Sequence, residues 1–343
     1  MKNKKWVCVL LLLLIVLLFY ANLIIGSVNI PADRVMAVLT GKSIERSAWI
    51  DIILYSRVPQ AVTAMLSGAA LAVSGLMLQI LFQNPLAGPS ILGITNGATL
   101  GAALVMMCFG GTLDQYAWWL PGGSLSVVVA AFVGALAVLS VIVYFSTKVK
   151  NNVLVLIIGM MVGYLVSSII AILNSVANAE NIQLFVVWGL GSFSGVSVKQ
   201  LPFFSITVTL GLMLSLLLIK PLNILSLGER YASNLGIHIN RTRVLILLCT
   251  GLLTAIVTAY CGPIGFIGLA VPHLARLVLK TADQQFLLPA VILSGAVVAL
   301  LCNLLTAIPF RNGLLPLNAV TPMLGVPVII YVIVNRKNLA QFN

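Results

Sequence analysis

Long apolar runs separated by short polar or charged breaks divide this chain, and each run is near the roughly 20 residues that a helix needs to cross a bilayer. They fall near 6–26, 58–82, 92–109, 124–146, 153–176, 201–219, 243–261, 263–279, 286–308 and 315–334. The pattern predicts an all-α polytopic membrane protein with about ten transmembrane helices, as a single domain over residues 1–343. The run at 263–279 is short and holds Pro272 and His273, so a re-entrant or tilted element is also open there. The first run follows Lys2, Lys4 and Lys5 and carries no charge from Trp6 to Ile25. A signal peptide has a shorter core, about 7–15 residues, and an Ala-x-Ala-like exit. Gly26-Ser27 is a poor exit, so a retained first helix is expected, with a cleaved signal as the alternative.

Within the runs, small residues are placed where helices would meet. The second run opens on Arg57-Val58-Pro59, carries Gly68, Ala69, Ala70, Ala72, Ser74 and Gly75, and closes in the rigid turn Asn84-Pro85-Leu86-Ala87-Gly88-Pro89. Small side chains let another backbone come close, which a helix surrounded by lipid does not need. Gly97/Gly101 and Gly159/Gly163 are spaced for the same purpose, with core packing as the simpler reading. Gly262, Gly265 and Gly268 recur every third residue ahead of Pro272. The segments at 88–93 and 262–268 are faintly alike, as an inverted repeat would make them, although chance explains so few matches equally well.

Composition agrees with the pattern. The chain is 61% hydrophobic and 8% charged, against about 25% charged in soluble domains. With the N-terminus placed inside, 13 of its 19 basic residues fall in inner segments, which predicts both termini in the cytoplasm. The formal charge of +12 is then a topology signal and gives no reason to expect nucleic acid. All seven acids fall in loops. Ion-coupled carriers usually need ionisable groups within the membrane, so an energy source outside this chain is expected. An ion-coupled secondary transporter with inverted repeats remains the alternative, because backbone carbonyls can also hold sodium. The five cysteines lack metal spacing and lie in or beside apolar runs, and no metal site or disulfide is expected. Two histidines, His238 and His273, are too few for a membrane-embedded enzyme.

Thr40-Gly41-Lys42-Ser43 resembles the end of a phosphate-binding loop, but the glycine required five positions before Gly41 is Met36. This polypeptide is therefore not expected to hydrolyse ATP. The longest inner loop, about 221–241, places Leu225, Leu227, Tyr231 and Leu235 on the apolar side of a short helix, with Gly228 and Gly236 as breaks. Two short helices joined by a sharp turn are predicted. They would either dock a soluble partner or lie on lipid headgroups. His273 and Arg276 share a helical face near the inner end, either as a polar cap that closes a gate or touches a partner, or as side chains snorkelling to headgroups.

Taken together and in order, these residues resemble the FecCD-type permeases, membrane subunits of bacterial ABC importers for iron-siderophores, haem and cobalamin. The likeness runs from about Arg57 to Ile333. It rests on Arg57-Val58-Pro59, Gly68 to Gly75 with Gln79, Asn84-Pro85-Leu86-Ala87, Trp188-Gly189-Leu190-Gly191-Ser192, Leu227-Gly228 with Leu235-Gly236, Phe266 to Leu269 with Pro272-His273 and Arg276, Leu315-Pro316 and Gly325-Val326-Pro327. The resemblance implies a type II ABC importer permease fold of ten helices in the bacterial inner membrane. It implies a second permease copy, identical or a paralogue, two cytoplasmic ATPase subunits that hold ATP and magnesium, and an extracytoplasmic binding protein. It assigns ATPase coupling to Leu227, Gly228, Glu229, Ala232, Leu235, Gly236 and Arg241. Gating and packing fall to Gly68, Gly75, Asn84, Pro85, Gly268, Pro272, His273 and Arg276. It gives binding-protein docking to Arg57, with Arg311 in the same outer region. The chain departs from the family pattern at Gln60 and Thr306, where arginines are common, and at Leu317-Asn318, where Val-Gly is common.

Overall fold

The computed structural model describes residues 2–40, 47–110, 124–149, 151–308 and 315–334. Among them there are helices and no strands. In chain order the helices are α1 (Lys2–Ile24), α2 (Ala32–Leu39), α3 (Ser47–Asp51), α4 (Val58–Leu81), α5 (Ile94–Phe109), α6 (Ser124–Lys148), α7 (Asn152–Val176) and α8 (Ala179–Gly189). Then come α9 (Leu201–Leu217), α10 (Ile219–Leu225), α11 (Glu229–Asn234), α12 (Ile239–Cys261), α13 (Ile267–Leu279), α14 (Gln284–Thr306) and α15 (Leu317–Val334). Each of the ten predicted runs coincides largely with one apolar helix: α1, α4, α5, α6, α7, α9, α12, α13, α14 or α15. Six stretches are long and apolar enough to cross a membrane, a seventh forms if the bent pair α9–α10 is one span, and Ile94–Phe109, Ile267–Leu279 and Leu317–Val332 are shorter apolar helices. The protein is a multi-pass membrane protein.

Helix α4 is the centre of the bundle. Of its most apolar stretch, within Ala48–Leu81, 83% is buried, against 17% in Trp6–Ile24. Around it pack α14, α12, α13 and α9. Its small residues explain the position. A methyl group on Gly68 would lie 2.2 Å from the Gly295 carbonyl oxygen, and one on Gly295 would lie 2.4 Å from that of Gly68. The two backbones touch, which only glycine at both positions allows. One turn pair further on, a methyl on Gly75 would lie 1.6 Å from the Gly268 carbonyl oxygen. Pro272 has no N–H to give that carbonyl, four residues before it in α13, so the α13 backbone is opened toward α4 at this level.

A second block is locked in the same way. Gly97 of α5 faces the Gly134 carbonyl of α6, and Gly101 faces that of Ala130. Gly159 and Gly163 of α7 lie against Leu92, Gly93 and Asn96, so both glycine pairs serve packing within the chain. Helix α12 touches both blocks. Helices α1 and α7 present Leu13, Val16, Leu165 and Ile172 outward, each more than half exposed, a surface suited to lipid.

Two features were not read from the sequence. Helix α8 lies in what reads as a loop, and it buries none of its residues. Between α3 and α4 the segment Ile52–Arg57 is a π-helix, a rare local widening that re-aims the side chains around it.

Candidate functional site

At the end of the bundle that carries Lys148, Lys220, Arg241 and Lys280, the chain turns outward through α10 and α11. Helices α9 and α10 meet at a bend of 53°. The predicted pair of short helices is present, and its glycines mark the breaks: Gly228 has φ +102° and Gly236 φ +83°, where a side chain would be strained. Ala232 is buried, whereas Leu227, Tyr231 and Leu235 are 61%, 68% and 62% exposed. Leu225, grouped with them by periodicity, instead points inward and is buried. It belongs to α10, which packs on α4 and α14. Arg241 is exposed beside this surface.

The base under the exposed face is polar and tightly held. Glu229, in the first turn of α11, accepts from Arg243 Nη2 at 3.1 Å and from Asn152 Nδ2 at 2.7 Å on the same oxygen. The Arg243 side chain is 1% exposed. Its Nη1 also donates to the carbonyls of Ser146 (3.0 Å) and Val149 (2.8 Å) at the end of α6. Asn152 Nδ2 donates in addition to the Leu81 carbonyl, 2.6 Å away at the end of α4. Beside this, Gln83 Nε2 donates to the Leu225 carbonyl at 2.8 Å. Asn223 donates to Asp283 (3.0 Å) and accepts from the Gln284 N–H (2.8 Å), which fixes α10 to the start of α14. A buried charge must be paired, and at this site an acid from the exposed element supplies the pairing.

One layer inward, α13 is tethered to the end of α4 and the turn that follows. Gln79 Nε2 donates to the Leu269 carbonyl (3.2 Å), and Arg276 Nη1 donates to Gln79 Oε1 (2.8 Å). His273 Nε2 is 2.8 Å from the Pro85 carbonyl, which can only accept, so that nitrogen carries the hydrogen. Asn84 holds the turn by accepting from the Leu86 N–H at 2.9 Å. The structure therefore brings Gly75, Asn84, Pro85, Gly268, Pro272, His273 and Arg276 into one cluster. His273 and Arg276 are directed into the protein. Gly68 lies deeper in α4, against α14.

At the opposite end, Arg57 closes the π-helical segment. Its guanidinium donates to the carbonyls of Leu23 (2.6 Å), Ile24 (2.7 Å) and Val28, and the residue is 6% exposed. It caps the end of α1, and little of it is offered to a docking protein. Arg311 lies outside the described residues. Gln60 and Asn303 replace charge with an amide chain: Gln60 Nε2 donates to Asn303 (2.9 Å), and Asn303 Nδ2 donates to Asn22 (2.7 Å), which donates to the Leu300 carbonyl (3.1 Å). Thr306 donates to the Asn303 carbonyl (2.7 Å). These groups and Arg57 line a cavity of about 270 Å³ with Ser192 and Ser194.

Sequence reasoning passed over Arg243 and Asn152. In the sequence Arg243 reads only as one more inner positive charge, and Asn152 gives no signal beyond its place before an apolar run. Gln79 was noted within the family resemblance, without its partner Arg276.

Comparison with known proteins agrees with this architecture. The chain is 31% identical over 337 residues to the vitamin B12 import system permease protein BtuC of Klebsiella pneumoniae subsp. pneumoniae, covering 98% of this chain and 95% of that protein. It is 33% identical over 277 residues to BtuC of Salmonella typhi, covering 81% and 82%. Among solved structures, an inward-facing conformation of a metal-chelate type ABC transporter matches with a TM-score of 0.82 and 29% identity, over 97% of this chain and 99% of the other. PsaBC from Streptococcus pneumoniae, solved with a Fab, shares the fold alone, with a TM-score of 0.51 and 15% identity over 80% and 89%. The model of the FecCD transport family matches residues 12–335, and the chain belongs to that family.

Proposed function

We propose that this chain is the membrane-spanning permease subunit of a binding-protein-dependent ABC importer that moves a metal chelate of the iron-siderophore, haem or cobalamin kind inward across the bacterial inner membrane. ATP and magnesium are held by two ATPase subunits on the cytoplasmic side, and a second permease copy completes the pathway. The observation that carries the reading is the exposed triad of Tyr231, on the six-residue helix α11, with Leu227 and Leu235 just before and just after it. Three large apolar side chains raised on and around a short helix, which is tied to the buried Arg243 through Glu229, form a knob fit for an apolar groove on a partner. The relatives' names support a chelate as cargo. No step of covalent chemistry is assigned to the chain. The layer of Gln79, Asn84, Pro85, His273 and Arg276 acts as the inner gate, and motion of the knob changes its packing between discrete arrangements. Binding-protein contact at the outer end relies on neutral hydrogen-bonding groups around Gln60, Asn303 and Thr306 more than on arginine–carboxylate pairs.

The test is stimulation of ATP hydrolysis. The chain, purified with the ATPase encoded beside it and placed in liposomes, is given the neighbouring binding protein loaded with cyanocobalamin or a ferric hydroxamate. Stimulation is expected, and Leu227→Ser with Leu235→Ser abolishes both stimulation and assembly. Failure of the wild-type chain to bind any ATPase, with solute moving under an ion gradient instead, overturns the reading in favour of a secondary transporter.

A further inference from the structure

The Glu229 carboxylate lies where five elements converge. Arg243 belongs to α12 and holds the terminal carbonyls of α6; Asn152 opens α7 and holds the last carbonyl of α4; Glu229 opens α11 and binds both. Helix ends leave carbonyls without intrahelical partners, and here the side chains that satisfy them are themselves held by one acid on the exposed helix. The rest of α11 offers little other attachment: Ala232 is its one buried residue. Displacing α11 therefore pulls first on Arg243 and Asn152, and through them on the ends of α6 and α4. Leu81 ends α4 only two residues after Gln79, which binds both Leu269 and Arg276.

We infer that Glu229, through Arg243 and Asn152, is the positioning residue that transmits displacement of α11 to the end of α4 and the turn at Asn84–Leu86. This rests on the proposed docking of an ATPase at the Leu227–Leu235 face and adds how that event reaches the gate. Glu229 need not touch the partner: its Oε1 is held by the bundle, and its role is mechanical. The carboxylate is well suited to it, since charge-assisted hydrogen bonds are stronger than neutral ones and Oε1 takes both donors at once.

Maleimide labelling of an introduced Leu86→Cys tests the inference. Leu86 is 42% exposed and lies two residues after Asn84, whose side chain accepts its N–H. Cys8 and Cys108 are replaced by serine, and the complete complex with its ATPase is kept in liposomes. With Glu229 intact, ATP plus vanadate is expected to change the labelling rate at least about threefold. In Asn152→Ala, ATPase subunits stay bound and ATP is still hydrolysed, but labelling no longer responds to ATP; Glu229→Ala loses the response as well. Glu229→Gln keeps the acceptor oxygen without the charge and recovers part of the response, which loss of folding or of docking does not predict. Normal responses in both alanine variants overturn the inference and leave the importer reading intact. Loss of ATPase binding in both assigns Glu229 to docking or folding and also overturns it. A wild-type complex that binds no ATPase removes the importer reading and this inference together.

Discussion

Gly75 shows how much one hydrogen atom decides in this bundle. A methyl there meets the Gly268 carbonyl oxygen at 1.6 Å, and neither backbone can give way without parting α4 from α13. Gly75→Ala is expected to destabilise the protein by about 1–3 kcal/mol or more, the usual cost of overpacking, read as a lower midpoint of thermal unfolding in detergent. Gly265→Ala is the control, because nothing lies within 4 Å of an added methyl there. Arg57→Ala leaves the terminal carbonyls of α1 without their donors and is expected to cost about 1–3 kcal/mol. Arg57→Lys recovers only part, since an ammonium lacks the fork that reaches three carbonyls. At this scale the sequence showed that Gly68 and Gly75 invite close approach, but not that Gly295 and Gly268 answer them. That pairing is a property of the fold. Likewise, counting charges places Arg243 on the inner side and says nothing of a side chain folded back into the protein.

Among the elements, the apolar helices were legible because a bilayer demands uninterrupted apolar length; six or seven stretches have that length, and the helices in the runs at 92–109, 263–279 and 315–334 are shorter. Helix α8 was not, because Ala179–Gly189 carries Glu180, Asn181 and Gln183 and buries nothing, so neither length nor periodicity marks it. The short pair α10–α11 was legible from Gly228 and Gly236. The inward turn of Leu225 was not, because the break at Gly228 between α10 and α11 resets the helical phase between Leu225 and the three residues beyond it. Helix α13 should be loosened in a measurable way. Arg276→Ala together with His273→Ala removes both side-chain tethers to Gln79 and Pro85. Each hydrogen bond contributes about 0.5–1.5 kcal/mol, so amide hydrogen exchange over 84–90 is expected to quicken by about 5–100-fold. The N-terminal part of α12, held by Arg243, keeps its protection.

On the scale of the whole molecule, the gradient of burial from α4 outward to α1 was only partly foreseen. Small residues marked α4 as a helix with close neighbours, but which neighbours, and in what order around it, depends on contacts far apart in the chain. The distribution of basic residues predicts sidedness: reporter fusions after Lys148 and at the C-terminus should fluoresce as cytoplasmic GFP, whereas one at Lys199 should be active as exported alkaline phosphatase. The reverse pattern at either inner site would show that the positive-inside count misleads here. The two glycine-locked groups have a mechanical consequence as well. Helices α4, α13 and α14 meet backbone to backbone, as do α5 and α6, whereas α12 meets α6 through the side-chain tip of Leu139 against Gly251. Backbone contacts cannot slide, because carbonyls interlock; side-chain tips can change rotamer and let a surface slip. The contact of α12 with α6 is therefore the one that rotamer changes would let slip, and at its inner end Arg243 pins it, holding the last carbonyls of α6 and the Glu229 carboxylate at once.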